Sequence, residues 1–253
     1  MATVLLTPEL AGMAAFRASV NARPEPAMAE TLDRLCAVGQ FRRVLKGCEL
    51  PVDPDEDRLV YIVAGAAKLV AQSLSGRTCN MAQGSGQGER DWAHSHILAF
   101  YLPGEIISVL RQVDADFHLI ALTDLELVVF GADQFLDIAQ TNPAVIRQVL
   151  SRSLQALHRS RTKMIQLGHK SARQRIADFL VSIAERICGC TEGRCEFSLP
   201  MSRRDIGNSL GLTIETVSRQ LTDLREEGLV ETHGRSGICL VDIGSLISEA
   251  GRS

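Results

Sequence analysis

Three side chains near the C-terminus, Glu215, Ser218 and Arg219, have a spacing at which one helix would present them together. Residues three and four positions apart lie side by side on a helix, so the three would form one polar patch. An arginine donates two hydrogen bonds to the major-groove edge of guanine, and a glutamate accepts one from the exocyclic amine of cytosine. The patch therefore has the chemistry to distinguish base pairs.

Two short amphipathic helices separated by Gly211 are predicted to carry this patch. Ser202 is a favourable N-cap for the first helix, and Thr213 is one for the second. The second helix is predicted to bury an apolar face of Ile214, Val217, Leu221 and Leu224. The candidate DNA-contacting residues are Ser202, Arg203, Thr213, Glu215, Thr216, Ser218 and Arg219. An ordinary helical hairpin with a solvated outer face has the same periodicity, so the pattern alone leaves both interpretations open.

The segment LPMSRRDIGNSLGLTIETVSRQL closely resembles the winged-helix region of the Crp/Fnr family of bacterial transcription regulators. Upstream, 59–72, 119–130 and the Pro103-Gly104-Glu105 turn resemble that family's cyclic-nucleotide-binding-type β-roll. The similarity spans about residues 30–250 and is weakest over 76–96. It implies an α+β fold with an N-terminal β-roll (jelly roll), a long dimerisation helix and a C-terminal winged helix-turn-helix.

Four segments are predicted along the chain: a flexible N-terminal arm at 1–28, a β-roll effector-type domain at 29–142, a dimerisation helix at 143–168 and a winged helix-turn-helix domain at 169–253. The arm is Ala-rich, contains three prolines and lacks a sustained pattern. Strands rich in Val, Leu and Ile are predicted at 59–63, 67–72, 97–102 and 119–130. The Gly-rich residues 83–92 are predicted to extend a hairpin, 170–188 to form a linking helix, and 229–241 to form the wing.

Beyond Pro143, apolar residues follow three- and four-residue steps over about seven turns. The stripe comprises Ile146, Leu150, Leu154, Leu157, Met164 and Leu167. It could pack on the β-roll or against a second copy of the same helix, and the family resemblance favours the copy. A two-fold homodimer presents two recognition helices about one DNA turn apart, which predicts a palindromic target.

The two familiar sensing chemistries of this family are not expected here. The cyclic-AMP branch has a glutamate at the position of Glu105, but its phosphate-binding Arg-Ser pair aligns with Ala115-Asp116, whose carboxylate would repel a phosphate. The oxygen-sensing branch holds an iron–sulfur cluster, which usually takes four thiolates, whereas Cys36, Cys48 and Cys79 do not align with those ligands. We therefore predict neither cyclic AMP nor an N-terminal iron–sulfur cluster, and we predict no other cofactor.

Cys188, Cys190 and Cys195 fall within eight residues between the linking helix and the DNA-binding pair. In a reducing compartment this density favours metal binding or reversible redox chemistry over structural disulfides, with Cys239 or His233 as a possible fourth ligand. The spacing matches no standard zinc motif, and free thiols in a surface loop are the alternative. The three cysteines are candidate metal ligands.

Composition and motif content exclude several classes of protein. The chain has 253 residues, 45% of them hydrophobic, which is enough for sizeable cores. No apolar run approaches the ~20 residues of a membrane span and no signal-peptide pattern begins the chain, so we expect a cytoplasmic protein without a membrane partner. No nucleophile motif or Gly-rich phosphate loop is present, and we expect no enzymatic activity; His94-x-His96 is a lone pair of metal-ligand type.

The net charge of −3 means that DNA binding has to depend on local patches. No acidic residue occurs between Asp137 and Asp178, and some basic residues there could face phosphates while others are solvated. These basic residues are Arg147, Arg152, Arg159, Arg161, Lys163, Lys170, Arg173 and Arg175.

The resemblance implies a homodimeric transcription activator with double-stranded DNA, RNA polymerase and a second copy as partners. Ser218 matches the oxygen-sensing and nitrogen-fixation branch, which implies a palindrome near TTGAT-N4-ATCAA. In that operator Ser218 would face thymine, Glu215 cytosine and Arg219 guanine. Two alternatives stay open: a small-molecule or metal/redox-sensing repressor with a different operator, and a protein whose helix pair contacts another protein.

Overall fold

The structure, a computed structural model, describes residues 8–20, 26–51, 56–71, 96–109 and 117–252. Helices and strands are both abundant there, so the α+β class is confirmed. The helices are α1 (Pro8–Val20), α2 (Pro26–Val38), α3 (Ala132–Ala139), α4 (Pro143–His169), α5 (Ala172–Cys188), α6 (Arg203–Leu210), α7 (Ile214–Glu226) and α8 (Ile243–Glu249). The strands are β1 (Gln40–Val44), β2 (Arg58–Ala64), β3 (Ala67–Ala71), β4 (His96–Tyr101), β5 (Ile106–Val109), β6 (Phe117–Ala121), β7 (Leu125–Gly131), β8 (Cys195–Ser198), β9 (Val230–His233) and β10 (Gly237–Leu240).

The strands form three sheets, with the orders β1-β7-β2-β5, β4-β3-β6 and β8-β10-β9. In the first sheet β7 pairs antiparallel with β1 and β2, and β2 pairs antiparallel with β5. The predicted single strand at 119–130 is wrong, because a turn at 122–124 separates β6 from β7. Periodicity missed this break because Leu122, in the turn, is as apolar and buried as the strand residues beside it.

The chain divides into two compact units. The first comprises Met1–Ala67, Phe100–Asp114 and Leu119–Arg161, and the second comprises Lys68–Ala99, Ala115–His118 and Thr162–Ser253. Several features predicted from sequence lie outside the described residues: the Gly-rich extension at 83–92, Cys79, His94 and Ala115-Asp116. Within the described parts of the chain, every helix is too short or too polar to cross a lipid bilayer.

The expectation of a flexible arm over 1–28 is wrong for residues 8–20, which form α1, and for 26–28, where α2 begins. Phe16 is fully buried in the core of the first unit, 5.3 Å from the Tyr61 ring and 4.9 Å from the Phe130 ring, centroid to centroid. Gly12 permits this packing, because a Cβ atom there would lie 2.7 Å from the Phe41 ring. Phe16 and Gly12 both contribute to the packing of α1, and neither creates a periodic apolar stripe in the sequence.

Helix α4 has two apolar faces with different surroundings. Val145 and Val149 are buried in the first unit's core. Leu150, Leu154 and Leu157 are 54%, 55% and 46% exposed, although burying a leucine side chain is worth roughly 1.5–3 kcal/mol. The stripe predicted from spacing therefore lies mainly on the exposed face of a long helix, where it is available to another surface.

The second unit contains the linking helix and the wing. Ser171 and Gln174 form a capping box at the start of α5, which buries Ile176 and Leu180. The wing is the β9–β10 hairpin predicted at 229–241, and β8 adds a third strand that was not predicted. Buried Asp178 forms ion pairs with Lys170, at 3.2 Å, and with Arg252, which tie the last described residue to α5.

Candidate functional site

The predicted helix pair is present as α6 and α7. Gly211 ends α6 in the left-handed conformation, φ 64°, where a glycine avoids the strain of a Cβ atom. The Thr213 hydroxyl accepts a hydrogen bond from the amide of Thr216 at 3.2 Å and so caps α7. Gly207 lets the turn between the helices pack closely on α6, since a Cβ atom there would lie 2.6 Å from the carbonyl oxygen of Leu212.

Helix α7 separates an apolar face from a polar one. Val217, Leu221 and Leu224 are buried, as predicted, whereas Ile214 is 40% exposed and its predicted burial is wrong. Ile214 is the first residue of the helix, where the chain is still leaving the turn, so helical periodicity does not determine its surroundings. On the polar face Glu215 and Arg219 are exposed.

The N-termini of the two helices are joined through side chains that the sequence singled out. Arg203, the first residue of α6, donates a hydrogen bond of 3.3 Å to the Ser218 hydroxyl on α7. Ser218 is partly exposed beside Glu215 and Arg219. The structure therefore brings Arg203 to the patch of Glu215, Ser218 and Arg219, a contact between helices that spacing within one helix could not reveal.

Ser202 is the N-cap residue of α6. Its hydroxyl accepts a hydrogen bond from the Asp205 amide at 3.1 Å and its backbone amide donates to an Asp205 carboxylate oxygen at 3.0 Å, which together form a capping box at α6. The hydroxyl also donates to that oxygen at 2.6 Å. Lys68 of β3 donates to the other Asp205 oxygen at 2.6 Å, and the pair is largely buried. Burial raises the pKa of Asp205, but the hydrogen bonds from Lys68 and Ser202 outweigh it and lower the pKa below its ordinary value.

Lys163 of α4 holds a second contact that the sequence did not single out. Its ammonium group donates to the carbonyl oxygens of Ile97 and Leu98 on β4, at 3.0 and 2.9 Å, and to the hydroxyl of Ser209 on α6, at 2.7 Å. These three acceptors are uncharged. Burial lowers the pKa of Lys163 to about 8, since desolvation disfavours the protonated form.

We predict that the protein becomes more stable as the pH rises from about 8 toward 10.5, and that Lys163→Met removes this part of the pH dependence. The pKa of Lys163 is about 8 in the folded chain against 10.5 for a free lysine. Between these values the unfolded chain binds a proton that the folded chain lacks, so stability increases with pH. Thermal midpoints of both proteins from about pH 7 to 11 test this. Parallel curves for parent and variant would contradict it.

Most basic residues of the stretch between Asp137 and Asp178 have partners within the chain. Arg152 donates to the carbonyl oxygens of Gly104 and Ser19, and Arg159 pairs with Glu105 at 3.1 Å.

Three further basic residues of this stretch lie in the second unit, and their partners are also acidic side chains or carbonyl oxygens. Lys170 pairs with Asp178, Arg173 with Glu227 and Glu249, and Arg175 with the carbonyl oxygens of Lys170 and Leu210.

The Gly104–Glu105 turn borders a polar cavity of about 350 Å³ in the first unit. The Glu105 carboxylate accepts a hydrogen bond from the amide of Leu102 at 3.1 Å and pairs with Arg159. Gly104 adopts φ 86°, in the left-handed region. The conformation of Gly104 and the contacts of Glu105 therefore stabilise this turn.

The three clustered cysteines come together at the end of α5. Their Sγ atoms all lie within 4.8 Å of one another. Cys195 is buried, and burial followed by hydrogen bonds with Cys190 and Cys188 raises its pKa to about 12. Of the two suggested fourth ligands, Cys239 directs its thiol to the carbonyl oxygen of Leu240, and exposed His233 lies 3.6 Å from Glu231.

Comparison with known proteins supports the resemblance seen in the sequence. The family model of the Crp-like helix-turn-helix domain matches residues 174–248. The chain is 31% identical to the transcriptional activator protein FnrL of Cereibacter sphaeroides, over 61% of this chain and 64% of FnrL. It is 37% identical to the nitrogen fixation regulation protein FixK of Rhizobium meliloti, over 53% of this chain and 58% of FixK. The chain therefore spans less than two thirds of either relative.

The fold is similar to that of a solved regulator over most of the chain. The structure of FixK2 from Bradyrhizobium japonicum matches with a TM-score of 0.67 and 26% identity, covering 85% of this chain and 99% of FixK2. The predicted β-roll followed by a helix-turn-helix domain is thereby confirmed. Residues 174–248 thus match the Crp-like helix-turn-helix domain, and the chain as a whole is similar to Crp/Fnr-family regulators of the Fnr/FixK branch.

Proposed function

We propose that this protein is a homodimeric, sequence-specific DNA-binding transcription regulator. The single observation that carries the proposal is the polar face of α7, where exposed Glu215 and Arg219 flank Ser218 above a buried apolar face. A recognition helix enters the major groove with its N-terminal residues against the base edges, and these residues lie in the first two turns of α7.

Each side chain of the patch is assigned one base. Arg219 donates to the N7 and O6 atoms of guanine, Glu215 accepts from the N4 amine of cytosine, and Ser218 contacts thymine. Thr213, Thr216, Ser202 and Arg203 are placed at the phosphates near the helix N-termini, where partial positive charge favours anions. This pattern fits a palindrome near TTGAT-N4-ATCAA.

A second copy of the chain is the proposed partner of α4. Leu150, Leu154 and Leu157 recur at steps of four and three residues, which keeps them on one face of the helix, and all three are exposed in the protomer. A stripe of this kind buries its leucines when two copies of α4 pack together about a two-fold axis. The resulting dimer would present two α7 helices to the two half-sites of a palindrome.

Activation is the direction we propose for the regulation. FnrL is named a transcriptional activator protein, and FixK a nitrogen fixation regulation protein. By the family resemblance, this chain would raise transcription through direct contact with RNA polymerase. The proposed site of action is the cytoplasm, where the DNA is.

Fluorescence anisotropy with a labelled TTGAT-N4-ATCAA duplex tests the DNA-binding proposal. We expect tight binding whose affinity falls steeply with salt, because phosphate contacts release counterions. Two control duplexes distinguish specific dimer binding from charge attraction: one with both half-sites scrambled, and one with about half a helical turn inserted between them, which places the half-sites on opposite faces of the DNA. Equal affinity for all three duplexes would contradict the proposal and favour a helix pair that binds another protein.

A further inference from the structure

Three thiols converge where α5 ends and β8 begins. The Sγ atoms of Cys188, Cys190 and Cys195 lie within 4.8 Å of one another. In a tetrahedral zinc site with Zn–S bonds of about 2.3 Å, neighbouring sulfur atoms are about 3.8 Å apart. Side-chain movements of about 1 Å are therefore enough to bring all three sulfur atoms to ligand distance of one cation.

The backbone that carries these thiols is held at several points. Gly189, at φ 65°, ends α5 and donates its amide hydrogen to the carbonyl oxygen of Glu185. The carbonyl oxygen of Gly193 accepts a hydrogen bond of 2.9 Å from the amide of Ile243. Cys195 is paired with Leu240 in the β8–β10 ladder. Because the segments that would supply the ligands are already ordered, binding incurs little of the entropic cost of closing a loop.

The donor set indicates the class of cation. Thiolates select Zn²⁺ and related soft or borderline cations, whereas Ca²⁺ and Mg²⁺ take oxygen ligands. Iron–sulfur clusters usually take four thiolates, one more than this group has among the described residues. A disulfide would join only two of the three sulfur atoms, whereas a single cation can bind all three.

We infer that Cys188, Cys190 and Cys195 bind one Zn²⁺ ion through their thiolates, with a fourth coordination position open to water or another small ligand. Binding releases up to three protons to solvent, because each thiol has to give up its proton to become a ligand. The ion links the last turn of α5 to the first residue of β8, so it stabilises the winged-helix unit. Zinc binding in this loop is independent of whether α7 binds DNA.

The test uses the full chain, purified under reducing anaerobic conditions, stripped with a chelator and titrated with Zn²⁺ against a chromogenic chelator. We expect about one Zn²⁺ per chain and a rise of a few degrees in the thermal midpoint, because a ligand that binds the folded state stabilises it. Replacing zinc with Co²⁺ should give thiolate-to-cobalt charge-transfer absorption, which reports sulfur ligation directly.

Two ligand variants and one control assign the site. Cys188→Ser and Cys190→Ser remove thiols that are exposed and half-buried, so both chains should fold, as circular dichroism checks. Each should weaken zinc binding by at least about tenfold, since even outer-shell partners of a metal contribute 10–100-fold. Cys48→Ser removes an exposed thiol outside this cluster and should leave the zinc affinity unchanged.

Three results would overturn the inference: no zinc retained by the reduced parent chain, equal zinc affinity in parent and ligand variants, or absence of thiolate-to-cobalt absorption at full cobalt loading. A fourth result would show that the three cysteines undergo reversible oxidation instead of binding zinc. In that case the parent chain would lose two hydrogens by mass on exposure to air and would fail to capture zinc when reduced.

Discussion

Arg219→Ala is expected to reduce the preference for guanine at the third position of each TTGAT half-site, where only the contact of Glu215 with the paired cytosine would remain, and to weaken binding to the palindrome by roughly 100-fold or more. A bidentate arginine–guanine pair contributes about 1–3 kcal/mol of discrimination, and a dimer loses one such pair in each half-site. Arg219 is exposed, so the loss should leave the free energy of unfolding nearly unchanged. Anisotropy measurements with the parent duplex and with a duplex carrying A·T in place of that G·C pair give the two affinities.

Arg225→Ala is the matched control for this experiment. Arg225 is also an exposed arginine of α7, but it lies in the last turn of the helix, away from the patch at the first two turns. The control should bind the palindrome within about threefold of the parent chain and keep its preference for G·C. If Arg219→Ala binds TTGAT-N4-ATCAA as tightly and as selectively as the parent, Arg219 does not recognise guanine.

Leu154→Glu is expected to convert the proposed dimer into a monomer and to reduce affinity for the palindrome by at least about 100-fold. Leu154 lies at the centre of the exposed stripe between Leu150 and Leu157. In the proposed dimer each copy would bury a carboxylate, which is costly without a partner. DNA affinity falls as well, since two recognition helices no longer act as one unit. Sedimentation velocity measures the mass of the particle.

Gln155→Glu adds the same charge to α4 at an exposed position off the stripe, because its neighbours three and four residues away, 151, 152, 158 and 159, are not stripe residues. It should remain dimeric and should bind the palindrome as the parent chain does, apart from a small electrostatic effect. Because Leu154 is 55% exposed in the protomer, its replacement should not disturb the core, and circular dichroism checks this. A dimeric Leu154→Glu chain would contradict the assignment of this helix face to the interface.

Local patterns predicted the helix pair α6–α7 well. Ser202, Gly211 and Thr213 mark the ends of α6 and α7 because caps and left-handed glycines act within one turn of the chain. Periodicity failed where burial depends on distant parts of the chain. Residues 8–20 were expected to be an arm because nothing in their own pattern shows that Phe16 meets Tyr61 and Phe130.

The candidate site residues also include some that local sequence predicts and others that depend on tertiary packing. The sequence by itself determined that Glu215, Ser218 and Arg219 share a helix face, since all three lie within five residues and helical geometry places them together. Only the tertiary structure decided that Arg203 reaches Ser218 and that Lys163 binds the carbonyl oxygens of β4 and Ser209 of α6. Those contacts join residues that lie far apart along the chain, and their partners are set by how whole elements pack. The cysteine loop depends on both kinds of information. Its spacing in the sequence made Cys188, Cys190 and Cys195 candidate ligands, and the positions of α5 and β8 bring their sulfur atoms together.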